Sequence, residues 1–175
     1  MLYYNSVMNE ELQPDELRRE KLKQQIENAK HHLLPIAEHQ RMSSEQAPRE
    51  KGYVEVSTLK ELREALVISR ETGFPKITDE WIDFEVEHEE QHANEAKRIY
   101  GKDVSQSYGI QFLEMENGQI ALVPMHIVGV PPNIDKDTFL QNAVKITRAP
   151  KHHSHGDKTF LQSQPTPPSH NHRGE

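Results

Sequence analysis

The sequence contains no cysteine among its 175 residues. That absence excludes disulfide bonds, cysteine-based zinc sites and thiol nucleophiles, and it leaves the redox compartment open. No run of 18 apolar residues occurs, so a membrane-spanning helix is not expected. The N-terminus also lacks the basic start and apolar stretch of a secretory signal. We therefore expect a cytoplasmic protein without a membrane partner.

Aromatic side chains are scarce as well, and the 28 acidic residues outnumber the 21 lysines and arginines. Aromatic residues make up 6% of the chain, and the formal net charge is −7. Phosphate backbones attract basic surfaces, and single strands stack on aromatic side chains, so a nucleic-acid partner is not expected. The glycine-rich phosphate-binding motifs and the G-x-S-x-G elbow of serine hydrolases are also missing.

Apolar residues make up only 34% of the chain. Much of the deficit lies in residues 149–175, which are rich in proline, serine, glutamine and histidine and have Phe160 and Leu161 as their only large apolar residues. Such a segment buries too little apolar area to offset the entropy of ordering it. We predict a flexible N-terminus over residues 1–10, one domain over 11–148 and a disordered tail over 149–175.

Hydrophobic spacing and end signals predict a mainly helical α+β domain with three to four helices and one β-hairpin. Pro35 should kink or shorten the first helix. Asn117-Gly118 is the dipeptide of a two-residue hairpin turn. The predicted helices span about residues 14–40, 58–71, 78–100 and 136–148, with a short strand at 53–56 and a hairpin at about 108–128.

The third predicted helix carries the candidate chemistry, because it contains the H-E-x-x-H segment His88-Glu89-Glu90-Gln91-His92. Residues four apart lie on one face of a helix, so both imidazoles can bind one metal ion. A projection at 100° per residue places five titratable side chains within the apolar arc of this helix. Burial of such groups is costly unless they are paired or bind a metal. The five are Glu85, His88, Glu89, His92 and Glu95.

This segment resembles the active-site helix of zincin metallopeptidases. The resemblance implies that His88 and His92 bind zinc, that Glu89 is the general base acting on bound water, and that the substrate is a peptide or protein. The sequence departs from the family at the charged Glu90 and at Asn94, and its hairpin follows the helix instead of preceding it.

The third metal ligand is not set by the motif. Glu95 lies three residues beyond His92 on the same face, and Glu85 precedes His88 by three. A two-residue turn would pair Glu114 with Ala121 and Gly109 with His126, which places Glu114 and His126 on opposite faces of the hairpin. His126 is preferred over Glu114, because a neutral imidazole is easier to bury than a carboxylate.

Two other functions remain open. Glu85-x-x-His88 and Glu89-x-x-His92 repeat the E-x-x-H spacing of ferritin-like di-iron proteins, which would bind iron and would need carboxylates from other helices. Alternatively, the buried His/Glu network is structural and the protein is a small interaction domain. The tail also carries the H-H-x-H cluster 152–155, which either binds metal weakly or is neutral linker composition.

Overall fold

The computed structural model describes residues 13–41, 51–74, 76–129, 132–154, 157–158 and 161–162. Its class is α+β and mainly helical, as predicted. No helix in these ranges is long and apolar enough to cross a membrane. The N-terminus predicted to be flexible, residues 1–10, lies outside the described residues. The elements are α1 Pro14–His31, β1 Leu34–Pro35, α2 Ile36–Arg41, β2 Tyr53–Val56, α3 Leu59–Glu71, α4 Asp79–Tyr100, β3 Ser105–Glu114, β4 Ile120–Gly129 and α5 Lys136–Arg148.

The segment predicted as one long first helix is divided. Helix α1 ends at His31, the two-residue strand β1 follows, and α2 begins at Ile36. Pro35 lies in β1, where its missing N–H and fixed φ do not interrupt a helical hydrogen-bond ladder. The expected effect of Pro35 is therefore confirmed as shortening of the helix.

Threonine side chains begin both α3 and α4, as the sequence predicts. The Thr58 hydroxyl accepts the backbone N–H of Glu61 at 3.2 Å, and the Thr78 hydroxyl accepts the N–H of Trp81 at 3.1 Å. Helix α4 ends at Gly101, whose φ of 99° suits glycine. These end signals fix the position of α4, and with it the direction of its histidines.

Strand β3 is the centre of the sheet. It pairs over its whole length with β4, antiparallel, and also with β2, antiparallel, and β1, parallel. Because a strand has two edges, β1 and β2 lie along the edge of β3 that β4 leaves free. Among the described residues β4 is an outer strand, and Pro124 in its middle offers no N–H there for pairing with another strand.

The hairpin register differs from the prediction by one residue. Glu114 pairs with Ile120 and Tyr108 pairs with His126. The N–H of Met115 also donates to the carbonyl of Gln119 at 2.8 Å, so the loop is 116–118 and has three residues instead of two. Gly118, at φ 78°, donates its N–H to the carbonyl of Met115 at 2.9 Å. This is the geometry of a three-residue hairpin with glycine in the left-handed position. The prediction that Glu114 and His126 lie on opposite faces is therefore wrong.

The core lies between the helices α1, α3 and α4 and one face of the sheet. Helix α5 contributes no buried residue among those described, so it packs at the margin of this core. The main core side chains, each at most 1% exposed, are Ile26, Leu62, Ala65, Leu66, Ile68, Ile82, Ile110 and Phe112.

Candidate metal centre

Helix α4 buries the titratable residues of the H-E-x-x-H segment. His88 and Glu89 are each 3% exposed and His92 is 6% exposed, whereas Glu90 on the opposite side is exposed. The apolar residues on the same side of α4 pack into the core, which explains why the polar ones are buried with them. The predicted burial of this part of the motif is confirmed.

Two histidines of α4 and one aspartate from beyond α5 converge. The Nε2 atoms of His88 and His92 lie 3.1 Å apart. Asp157 places Oδ2 at 2.9 Å from the Nε2 of His88 and Oδ1 at 3.4 Å from the Nε2 of His92. Among the described residues, these three side chains form the group that could hold a metal ion.

The spacing of these atoms matches a metal site. In a tetrahedral site with metal–ligand bonds of about 2.0–2.1 Å, two ligand atoms lie about 3.3 Å apart. The two Nε2 atoms are 3.1 Å apart, close to that value, and the Asp157 oxygen nearer to each imidazole lies 2.9 Å from that of His88 and 3.4 Å from that of His92. Two imidazoles and a carboxylate are also common metal ligands, so the group can hold one ion without large rearrangement.

A backbone carbonyl orients His92. The Nδ1–H of His92 donates to the carbonyl oxygen of Ile146, 2.8 Å away in the last turn of α5. That bond directs the Nε2 atom of His92 towards His88 and Asp157. Metal-binding histidines almost always donate their second ring N–H in this way, because the bond fixes both tautomer and ring orientation.

Asp157 is the site residue that the sequence analysis missed. It lies within the predicted tail, whose composition indicated disorder. In the structure the N–H of Ser154 donates to Asp157 Oδ2 at 3.0 Å, and the Ser154 hydroxyl accepts the N–H of Asp157 at 3.1 Å. The signal was present in the sequence, because this S-x-x-D capping box precedes the apolar pair Phe160-Leu161.

The beginning of the predicted tail contacts α4. The N–H of Lys151 donates to the Gln91 side chain at 3.0 Å, and the ring of His152 lies 6.4 Å from that of Phe84. Residues 149–154 therefore contact the domain along with Asp157. His155, together with residues 163–175, lies outside the described residues, and with it part of the H-H-x-H cluster.

The charges of the group favour an ion pair. Burial lowers the pKa of His88, but its hydrogen bond to Asp157 and the nearby Glu89 raise it, and the net shift is upward. Burial raises the pKa of Asp157, but hydrogen bonds from His88 and His92 dominate and hold it well below its ordinary range. Both shifts are in the direction that favours a charged His88 opposite an ionised Asp157.

Glu89 lies beside the group and is strongly perturbed. Burial raises its pKa to about 8, with the charge of His88 opposing the shift. Its Oε2 atom is buried and has no hydrogen-bond partner among the described residues. A buried carboxyl group with a perturbed pKa beside a cluster of potential ligands is typical of a functional site.

Three predicted ligands lie outside the group. Glu95 instead accepts hydrogen bonds from Arg98 at 2.9 and 2.5 Å, an ion pair that holds its carboxylate away from His92. Glu85 is half-buried, and burial raises its pKa, with smaller effects from His88 and Asp157. Its carboxylate is therefore near the group without being part of it.

His126 also lies beside the group without joining it. Its ring is 6.3 Å from that of His92 and nearly parallel to it, and its Nε2 is 2.5 Å from the side-chain oxygen of Gln106. Burial, with a smaller effect of His92, lowers its pKa to about 3. Asp157 thus occupies the third position that the sequence analysis assigned to His126 or Glu95.

The carboxylates that a di-iron centre would need are paired elsewhere. In α1, Glu27 lies 3.0 Å from Lys30, and in α3 Glu64 lies 3.1 Å from Arg18. Neither carboxylate joins His88 and His92 among the described residues. The arrangement provides donors for one metal ion.

Comparison of the chain with protein-family models, curated protein sequences and solved structures finds no match.

Proposed function

We propose that this protein is a zinc-dependent hydrolase that acts on a peptide bond, with His88, His92 and Asp157 as the metal ligands. The observation that carries the proposal is the convergence of the two imidazole Nε2 atoms and the Asp157 carboxylate, at contact distances of 2.9–3.4 Å, on the buried side of an H-E-x-x-H helix. The resemblance of segment 88–92 to the zincin active-site helix supports the same reaction class.

The number and type of ligands favour catalytic zinc. Structural zinc sites use four protein ligands, whereas catalytic sites use three and keep the fourth position for water or substrate. Among the described residues the group has three possible ligands, of which two are imidazoles, and imidazole with carboxylate suits zinc as well as iron. A zinc ion held there supplies Lewis acidity towards a water molecule in the fourth position.

Glu89 is the proposed general base. It follows His88 in the chain and lies at the inner edge of the group, with one carboxylate oxygen unpartnered. Its raised pKa of about 8 is a property of the metal-free site. A divalent cation beside it favours the ionised carboxylate, which can then accept a proton from water.

The proposed general base, Glu89, should be needed for hydrolysis but not for zinc binding. Glu89→Gln should keep stoichiometric zinc and lower hydrolysis of dye-labelled casein by about 10²–10⁴-fold, the range typical of a lost general base. Glu90→Gln is the matched control, because Glu90 is exposed on the same helix. Zinc content is measured by mass spectrometry of the purified protein. Equal hydrolysis by the two variants would contradict the role of Glu89.

A non-catalytic network is the second candidate. The observation that favours it is burial, since His88 and His92 are 3% and 6% exposed and already bond to Asp157 without a metal. Protein purified without chelator decides between the two candidates. Zinc at one per chain supports the hydrolase, iron supports the di-iron alternative, and absence of both metals supports the structural network.

A further inference from the structure

We infer that the segment of residues 151–154 and 157–158 is a metal-dependent latch. A metal ion at His88, His92 and Asp157 closes it onto α4, and loss of the metal opens it. The inference rests on the proposed metal centre and adds a regulated segment to it. Its basis is that two ligands belong to the core helix, whereas the third belongs to a segment beyond α5.

Among the described residues of this segment, the other contacts lie at the surface. The hydrogen bond from the Lys151 N–H to Gln91 is exposed, and the His152 ring lies against Phe84, which is itself 41% exposed. The side chain of Asp157, in contrast, is only 12% exposed. Asp157 is therefore the contact on which docking of the segment chiefly depends.

The carboxylate of Asp157 is oriented from within its own segment. The reciprocal hydrogen bonds with Ser154 form a capping box that holds the aspartate at the start of a helical turn. The segment therefore presents a preformed ligand. On the other side, the carbonyl of Ile146 orients His92, so both partners of the latch are fixed before they meet.

Thermodynamic linkage sets the size of the effect that zinc should have on opening of the segment. If docking of Asp157 tightens zinc binding by some factor, zinc must tighten docking of Asp157 by the same factor. Loss of a residue that only orients a metal ligand already costs about 10–100-fold in affinity. We therefore expect zinc to suppress opening of the segment by at least about tenfold.

Trypsin cleavage after Lys158 reports opening, because this exposed lysine directly follows Asp157. In the wild-type chain, one equivalent of zinc should slow this cleavage at least about tenfold relative to chelator. Cleavage after Lys102, exposed between α4 and β3, should not change and serves as the internal reference. Asp157→Asn should cleave at one fast rate with or without zinc, whereas Glu116→Gln, an equal charge change at an exposed turn, should behave as wild type.

Zinc affinity, measured by titration calorimetry on the same three proteins, distinguishes the possible failures. If wild type binds zinc but its cleavage after Lys158 does not slow, the latch is overturned and the metal centre stands. If Asp157→Asn binds zinc as tightly as wild type, Asp157 is not a ligand and the latch is again overturned. If wild type binds no zinc, the proposed function and the latch fail together.

Discussion

At the scale of single residues, burial on α4 determines the chemistry. Glu89 and Glu90 are neighbours in the chain, yet the first is 3% exposed with a pKa raised to about 8 and the second is exposed. The difference arises from the 100° rotation between successive helical positions. The same rotation aligns His88 with His92, so one turn of helix supplies two of the proposed ligands and the proposed base.

The raised pKa of Glu89 predicts a pH-dependent stability for the metal-free protein. A carboxyl group whose folded pKa exceeds its unfolded value of 4.5 contributes full stability below pH 4.5, and the contribution is lost as the pH rises through about 8. The Glu89→Gln variant has no ionisable group at this position. Its free energy of unfolding relative to that of wild type should therefore rise between pH 5 and pH 9 by on the order of a few kcal/mol.

Urea unfolding at the two pH values, in the presence of chelator, measures this gain. The Glu90→Gln variant should have the same free energy of unfolding as wild type at pH 5 and at pH 9, because the side chain of Glu90 is exposed. A stability difference between Glu89→Gln and wild type that does not change with pH would show that Glu89 is ionised in the folded state.

At the scale of elements, local signals specify helix ends better than loop lengths. Thr78 and Gly101 delimit α4 as the sequence predicts. Asn117-Gly118 fits a two-residue turn, but the chain forms a three-residue loop in which only Gly118 has positive φ. Both turns place glycine at a left-handed position, so the dipeptide alone cannot distinguish their registers.

The left-handed backbone of Gly118 in the hairpin loop should limit which residues are tolerated there. A Cβ at Gly118 meets no atom within 4 Å, so the cost of a side chain there is conformational, not steric crowding. Gly118→Ala should destabilise the protein by about 1–2 kcal/mol, the cost of left-handed backbone for an ordinary residue. Gly118→Asn should cost less, since asparagine tolerates this region. Thermal unfolding compares the two, and equal losses would contradict the conformational explanation.

The third ligand was beyond sequence reasoning for a different reason. His88 and His92 are four residues apart, so helical periodicity relates them directly. Asp157 lies 65 residues after His92, and only packing of α5 against α4 brings it near. Its capping box with Ser154 is a local signal for a helical turn, but no local signal states which helix that turn will contact.

At the scale of the whole molecule, stability is unevenly distributed. The core joins α1, α3, α4 and the sheet, whereas α5 has no buried residue among those described. Regions with few buried apolar contacts open locally at a lower free energy than global unfolding. The part of the molecule that carries Ile146 and leads to Asp157 is therefore the part held least firmly by the core.

Hydrogen exchange tests this division. Amides of α5 should exchange through openings of lower free energy than amides of α3, where Leu62, Ala65 and Leu66 are fully buried. Zinc should raise protection of α5, because His92 bonds to the Ile146 carbonyl and the ion fixes His92. Equal protection of α3 and α5 amides from exchange in the metal-free protein would contradict the uneven distribution of stability.

The position of Asp157 along the chain also bears on biosynthesis. Every element of the core precedes it, so during translation the helices and the sheet can form before Asp157 has emerged from the ribosome. His88 and His92 can therefore reach their folded positions on α4 before Asp157 has been synthesised. Under the proposed function, completion of the metal site is accordingly a late event in the maturation of this protein, after its hydrophobic core has formed.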